Sequence, residues 1–243
     1  MARMIGVVGG MGTYASIDLL KKIADNTPAG KDQEHLPVTM ISKPEEILDR
    51  TQYLFGEVME NPGYAISDIV KSLGEAGCEL IGLPCNTAHV PEIIGIIEDK
   101  LPEGMQIVNM IEEVGKYISN NYPGLKKVGI LATNGTYSAK VYDHYLKHYD
   151  LSTVYPDKDV QFKKVHPSIY DPVYGIKARS NPVSEKAVAD LLMVSMQLVE
   201  KGAEVLVLGC TEIPLAITEK SVYGINIIDP NDVLAKALVL RSA

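Results

Sequence analysis

The chain repeats itself. IGVVGGMGTYAS begins at Ile5, and VGILATNGTYSA begins at Val128. Laid together, Gly6 meets Gly129, and Gly12-Thr13-Tyr14 meets Gly135-Thr136-Tyr137. Further on, EAGCELIGLPC (75–85) lies against EKGAEVLVLGC (200–210). There Glu75, Gly77, Glu79, Leu83 and Cys85 meet Glu200, Gly202, Glu204, Leu208 and Cys210. Both matches stand at nearly the same separation along the chain. One unit used twice is the reading, set against two α/β units that share only generic strand composition. A doubled unit would put Cys85 and Cys210 in equivalent places, each at the carboxyl end of a strand, where open α/β sheets bind ligands.

Short apolar, β-branched runs recur at 5–8, 38–41, 80–83, 107–108, 128–131, 205–208 and Ile225–Ile228. They lack polar alternation, as strands covered on both faces do. Segments of helical spacing lie between them, such as Ile66, Ile69, Val70 and Leu73, or Ala187, Leu191, Val194 and Leu198. Alternating strand and helix predicts an α/β fold with mainly parallel sheets, arranged as two pseudo-symmetric three-layer domains. The expected boundaries are 1–108 plus 220–243 for the first domain and 109–219 for the second. The terminal strand and helix are thus assigned to the first. The stretch 151–182, rich in Pro, Tyr and Asp, reads as loop.

Bulk properties narrow the partners. The net charge is −8 and no Lys/Arg cluster appears, which argues against nucleic acid. No apolar stretch approaches the roughly 20 residues of a membrane helix. The start, MARMIGVVGGMG, lacks the length and cleavage pattern of a signal peptide. Three cysteines, an odd count, argue for free thiols in a reducing, cytoplasmic compartment.

Each paired cysteine follows a buried strand and is trailed by capping residues, Asn86-Thr87 in one case and Thr211-Glu212 in the other. That predicts a helix N-terminus beside each thiol, a setting that lowers thiol pKa and holds carboxylates. Cys78, whose counterpart is Ala203, reads as core. A symmetric thiol pair suits inversion at carbon, with a thiolate on one face and a thiol on the other. Backbone N–H groups with Asn86, Thr87 and Thr211 would stabilise charge developing on a substrate carboxylate. The loop GMGTYA (10–15) matches a dinucleotide fingerprint, but no acidic residue follows the second strand, so a turn approaching a small anion is preferred. His144 and His148 have metal-ligand spacing without the glutamate of a zinc protease motif, and a solvated helix face is preferred. His89 either pairs with Cys85 or caps a helix end. Chemistry alone leaves Arg50 and Lys177 between surface charges and carboxylate grips.

GGMG, PCNTAH (84–89), GCTEIPL from Gly209, DRT (49–51) and IIDP near the end together resemble the aspartate racemase branch of the aspartate/glutamate racemase family. Glutamate racemases share the PCNT and GCT elements but carry GCTH where this chain has Glu212. The resemblance implies two α/β domains with the active site in the cleft between them, no cofactor and no metal, and a homodimer. It makes Cys85 and Cys210 the acid/base pair and aspartate the substrate. It assigns Arg50 and Lys177 to the side-chain carboxylate, and Asn86, Thr87 and Thr211 to the α-carboxylate and amino group. Met11, Gln52 and Thr133 become wall contacts, and Glu212 is counted among the substrate-binding groups. A broad-specificity or glutamate-type racemase is the alternative enzyme. A non-catalytic dicarboxylate-binding protein is the alternative of another class.

Overall fold

A computed structural model describes residues 2–242. In the first half the elements are β1 (Ile5–Gly9), α1 (Thr13–Asn26), β2 (Val38–Ser42), α2 (Arg50–Leu54), α3 (Gly63–Glu75), β3 (Leu80–Gly82), α4 (Pro91–Asp99), β4 (Gln106–Val108) and α5 (Met110–Asn121). There follow β5 (Lys127–Ala132), α6 (Asn134–Ser138), α7 (Val141–Leu146), β6 (Ser152–Val154), α8 (Lys158–Val160), α9 (His166–Tyr170), α10 (Glu185–Glu200), β7 (Val205–Gly209), β8 (Ser221–Val222), β9 (Ile225–Ile228) and α11 (Pro230–Ser242). None of the described helices is long and apolar enough to cross a membrane.

The chain divides into two compact units. One runs to Glu113 and resumes at Asn231; the other spans Val114 to Pro230. The first holds a four-stranded parallel sheet in the order β2-β1-β3-β4. Its central strands, β1 and β3, are buried on both faces. Val8 and Ile81 meet α3 and α4 through Ile66, Leu73 and Ile93 on one side. Ile5, Val7 and Leu80 meet Leu19, Leu234 and Leu238 of α1 and α11 on the other. Each fully buried leucine contributes roughly 1.5–3 kcal/mol relative to exposure.

The second unit holds a five-stranded sheet, β6-β5-β7-β9-β8, parallel except for the edge pair β8–β9. Leu131, Leu206 and Leu208 pack on Ile169 of α9 and on Leu191, Val194 and Leu198 of α10. Its first four strands repeat the order of the first sheet, with β5, β6, β7 and β9 in the places of β1, β2, β3 and β4. The repeat extends to side chains. A Cβ on Gly6 would lie 2.7 Å from Ile81 Cδ1 and 3.1 Å from Cys78 Cβ. One on Gly129 would lie 2.7 Å from Leu206 Cδ2 and 2.9 Å from Ala203 Cβ. The sequence match pairs those same residues, so the duplication is structural.

Two expectations change. The terminal strand and helix part company: α11 joins the first unit, but β9 pairs with β7 through Leu206↔Ile227 and belongs to the second sheet. Pairing there satisfies the β7 edge, which the 219/220 boundary would leave open. Asn231 at the start of α11 donates to Ala15 O (3.0 Å) and Asp18 Oδ2 (2.9 Å), which ties that helix to α1. The supposed loop at 151–182 contains β6, α8, a π-helical turn at Gln161–Val165 and α9. Its helices are too short to show an apolar period, and Pro167 sits in the first turn of α9, where proline is tolerated.

Gly129→Val should destabilise the protein by about 1–3 kcal/mol, because side-chain atoms must shift across β5 and β7. Gly6→Val should do the same in the other sheet. Urea unfolding monitored by circular dichroism checks both; an unchanged midpoint would contradict the close approach.

Candidate active site

In the first unit, β3 runs into Leu83-Pro84-Cys85, and Cys85 is extended (φ −154, ψ 110) as the cap of a 3₁₀ turn, Asn86–His89. The helix whose N-terminus is expected beside the thiol is this single 3₁₀ turn. All four turn residues are buried, and Cys85 is 5% exposed. His89 is fully buried: its Nδ1 lies 2.9 Å from the carbonyl oxygen of Cys85, and its Nε2 accepts from Met110 N–H at 3.3 Å. Nδ1 therefore carries the proton and donates. The histidine clamps the backbone of Cys85 to the start of α5 and does not pair with the thiol there.

Arg50 opens α2, which lies against the Asn86–His89 turn. Asp49 caps that helix by accepting from the N–H groups of Thr51 (2.8 Å) and Gln52 (3.0 Å). Arg50 is 6% exposed, and its guanidinium donates to Leu48 O (3.1 Å) and to Met11 O (3.3 Å). The fold thus gathers Met11, Arg50 and the cysteine turn at the carboxyl end of the first sheet. Asn86 and Thr87 are buried there, and the Gln52 side chain is exposed. β2 ends at Ser42, so no acidic side chain closes that strand in the manner of a dinucleotide site.

The second unit has its own constellation. Cys210 follows β7, and its thiol donates to Glu212 Oε2 at 3.0 Å. Lys177 Nζ reaches Glu212 Oε1 at 2.5 Å. Thr211 and Glu212 are buried, and Thr211 Oγ1 lies 3.5 Å from Glu212 Oε2. A 3₁₀ turn at Ile213–Leu215 follows, capped by Glu212. Burial, and next the Glu212 charge, push the Cys210 thiol well above the ordinary thiol range, with Lys177 opposing. The expectation of a lowered thiol pKa fails here because desolvation and a neighbouring carboxylate outweigh one cation. Cys78, by contrast, is a core thiol 3.7 Å from Ile5 O, and burial raises it too.

Thr133 is buried as the cap of α6, accepting from Thr136 N–H at 3.3 Å. Beside it lies a polar cluster absent from the sequence reading. Fully buried Gln161, in the π-helical turn, donates to Ala132 O (2.9 Å) and Asn134 Oδ1 (3.0 Å). Asn134 N–H donates to His166 Nδ1 at 3.3 Å. His166 stacks on Tyr170, and Lys177 lies over the Tyr170 ring. The signal available was Asn134 directly before the repeated Gly-Thr-Tyr; Gln161 and Tyr170 lay in the stretch read as loop.

Comparison with known proteins gives a consistent setting. The family model described as Asp/Glu/hydantoin racemase matches residues 8–238. The broad specificity amino-acid racemase RacX of Bacillus subtilis (strain 168) is 24% identical over 242 residues, covering 97% of this chain and 96% of that protein. The structure of Picrophilus torridus aspartate racemase superposes with a TM-score of 0.79 at 30% identity, covering 99% of this chain and 94% of the other. Glutamate racemase isoform RacE1 from Bacillus anthracis shares the fold, with a TM-score of 0.69 at 17% identity over 98% of this chain and 80% of the other.

Burial lowers the pKa of His89 from 6.5 to about 4. The folded state therefore favours the neutral ring, and the unfolded chain binds more protons between those values. Stability from this residue is complete above about pH 6.5 and is lost as the pH falls towards 4, on the order of 3 kcal/mol in all. The stability gap between wild type and His89→Gln should narrow over that window in urea titrations. A gap independent of pH would contradict a neutral, buried His89.

Proposed function

The chain belongs to the Asp/Glu/hydantoin racemase family, and from that premise we propose that it racemises an acidic amino acid, aspartate foremost, with Cys85 and Cys210 as its two proton-transferring groups. The observation that carries this reading is the matched placement of the thiols. Each follows the strand that pairs directly with the first strand of its unit, β3 beside β1 and β7 beside β5. Each is nearly buried and followed by buried polar residues, Asn86 and Thr87 or Thr211 and Glu212. A core cysteine needs no such escort.

Inversion at Cα requires one group to remove hydrogen from one face and another to deliver hydrogen to the opposite face. A thiolate and a thiol meet that need and exchange roles in the reverse direction. The Cα–H bond is weakly acidic, so the negative charge that develops on the α-carboxylate must be met by donors already in place. Asn86, Thr87 and Thr211 serve in this scheme. Arg50, buried beside Met11, grips the distal carboxylate in this scheme, and Gln52 and Thr133 are assigned as further substrate contacts. Every step uses the chain's own groups and calls for no cofactor.

A second reading, broad-specificity racemisation, is favoured by the extended similarity to a relative of that description. A substrate panel separates the two. Acidic amino acids should lose optical activity and take deuterium at Cα from D₂O well ahead of neutral ones. Comparable rates for neutral residues would favour broad specificity, and no exchange with any amino acid would leave a binding protein. Cys85→Ala and Cys210→Ala should each reduce racemisation by at least about 10²-fold, the usual scale for a lost acid or base. Retention of the wild-type rate by either variant would sink the two-thiol assignment.

A further inference from the structure

The family resemblance counts Lys177 and Glu212 among the substrate contacts, but in the structure each is engaged by the other. Glu212 uses both carboxylate oxygens: Oε2 accepts from Cys210 Sγ at 3.0 Å, and Oε1 meets Lys177 Nζ at 2.5 Å. With 3% of Glu212 exposed, little water competes for either oxygen. We propose that Glu212 is the proton partner of Cys210, with Lys177 as its counter-charge, so that Cys210 stands in the resting site as the acid, its hydrogen held on Sγ.

The chemistry of the contact decides the direction. An ionised carboxylate only accepts, so a hydrogen bond to sulfur requires the hydrogen to be on sulfur. A thiolate at the same distance would place two negative charges side by side in a buried site. The other groups facing Cys210 do not reverse this. Thr211 adjoins it in the chain, and Tyr142 of α7 is fully buried and held neutral chiefly by that burial. Among the described residues, the cation shown acting on Cys210 is Lys177, which reaches the thiol through Glu212 and rests over the Tyr170 ring. Lys177 is thereby a positioning residue for Glu212, and Arg50 is left as the cation for a substrate side chain.

The consequence, which rests on the two-thiol reading, is an asymmetric resting enzyme. Cys85 as thiolate takes the Cα hydrogen, forming S–H as C–H breaks. Cys210 delivers its hydrogen to the other face, forming C–H as S–H breaks. That leaves a thiolate beside Glu212. Repulsion discharges it when Cys210 takes a proton from water and Cys85 releases one, so protons and charge balance over the cycle.

Cysteine labelled with ¹³C at Cβ distinguishes thiol from thiolate by chemical shift at each site without any turnover. Spectra of Cys78→Ala and Cys85→Ala assign the resonances. In the wild-type chain Cys210 should remain a thiol at pH values where an ordinary thiol has already ionised. Glu212→Gln should lower its midpoint by about one pH unit or more, and Lys177→Met should raise it, because the two variants remove opposite charges. A Cys210 ionised at neutral pH, or variants that leave the midpoint unmoved or shift it in the same direction, would overturn the proposal. If Glu212→Gln does not fold, Lys177→Met decides alone: a rise supports the proposal, and no change or a fall overturns it. Opposite shifts in a protein that racemises nothing would uphold this charge arrangement and discard the enzymatic reading.

Discussion

Everything at the candidate site depends on the close parallel pairing of β1 with β3 and of β5 with β7. Each pairing brings a glycine, Gly6 or Gly129, against a branched side chain of the partner strand, so close that an added Cβ would force that side chain to shift. The strands that follow that contact, β3 and β7, lead directly to Cys85 and Cys210. Packing sets the strand positions, and the strand positions set the thiols. Because interiors are close-packed, a side chain added at either glycine must displace its neighbours on the partner strand.

The two units share a strand order but solve the surroundings of their cysteines differently. Around Cys85 the anchoring group is a neutral imidazole: buried His89 spans a carbonyl and an N–H and carries no charge. Around Cys210 the anchoring group is an ion pair, Lys177 with Glu212, which touches the sulfur directly. A buried ion pair is a weak source of stability, since desolvation offsets its attraction. Its presence here is better explained by the control it gives over one proton. A duplicated scaffold has therefore acquired one thiol held by its backbone and one held by its hydrogen.

Much of this was legible before any coordinates. The alternation of strand-length apolar runs with helical periods fixed the α/β class, because strands covered on both faces have no polar alternation. The GTYA/GTYS and Glu-x-Gly-x-Glu matches revealed the repeat, including the substitution of Ala203 for Cys78. The stretch 151–182 was opaque for a physical reason: helices of three to five residues separated by a π-helical turn present no repeating face. The terminal segment was misassigned because a strand followed by a helix reads as one unit. In the fold the strand answers to the open edge of β7, and the helix answers to Asp18 and Ala15 of α1.

By itself the sequence determined the fold class, the doubling and the family, and it singled out the two cysteines as candidates, since local pattern and motif spacing carry that information. Only the tertiary structure decided which groups those cysteines answer to. Lys177 lies far from Glu212 along the chain, and Met110 lies well beyond His89, so no local spacing joins them. Their hydrogen bonds exist because strands end together at one edge of a sheet, and burial then sets the charge of each group. That is why a pattern predicting lowered thiol pKa values instead gave, at Cys210, a thiol held in its protonated form.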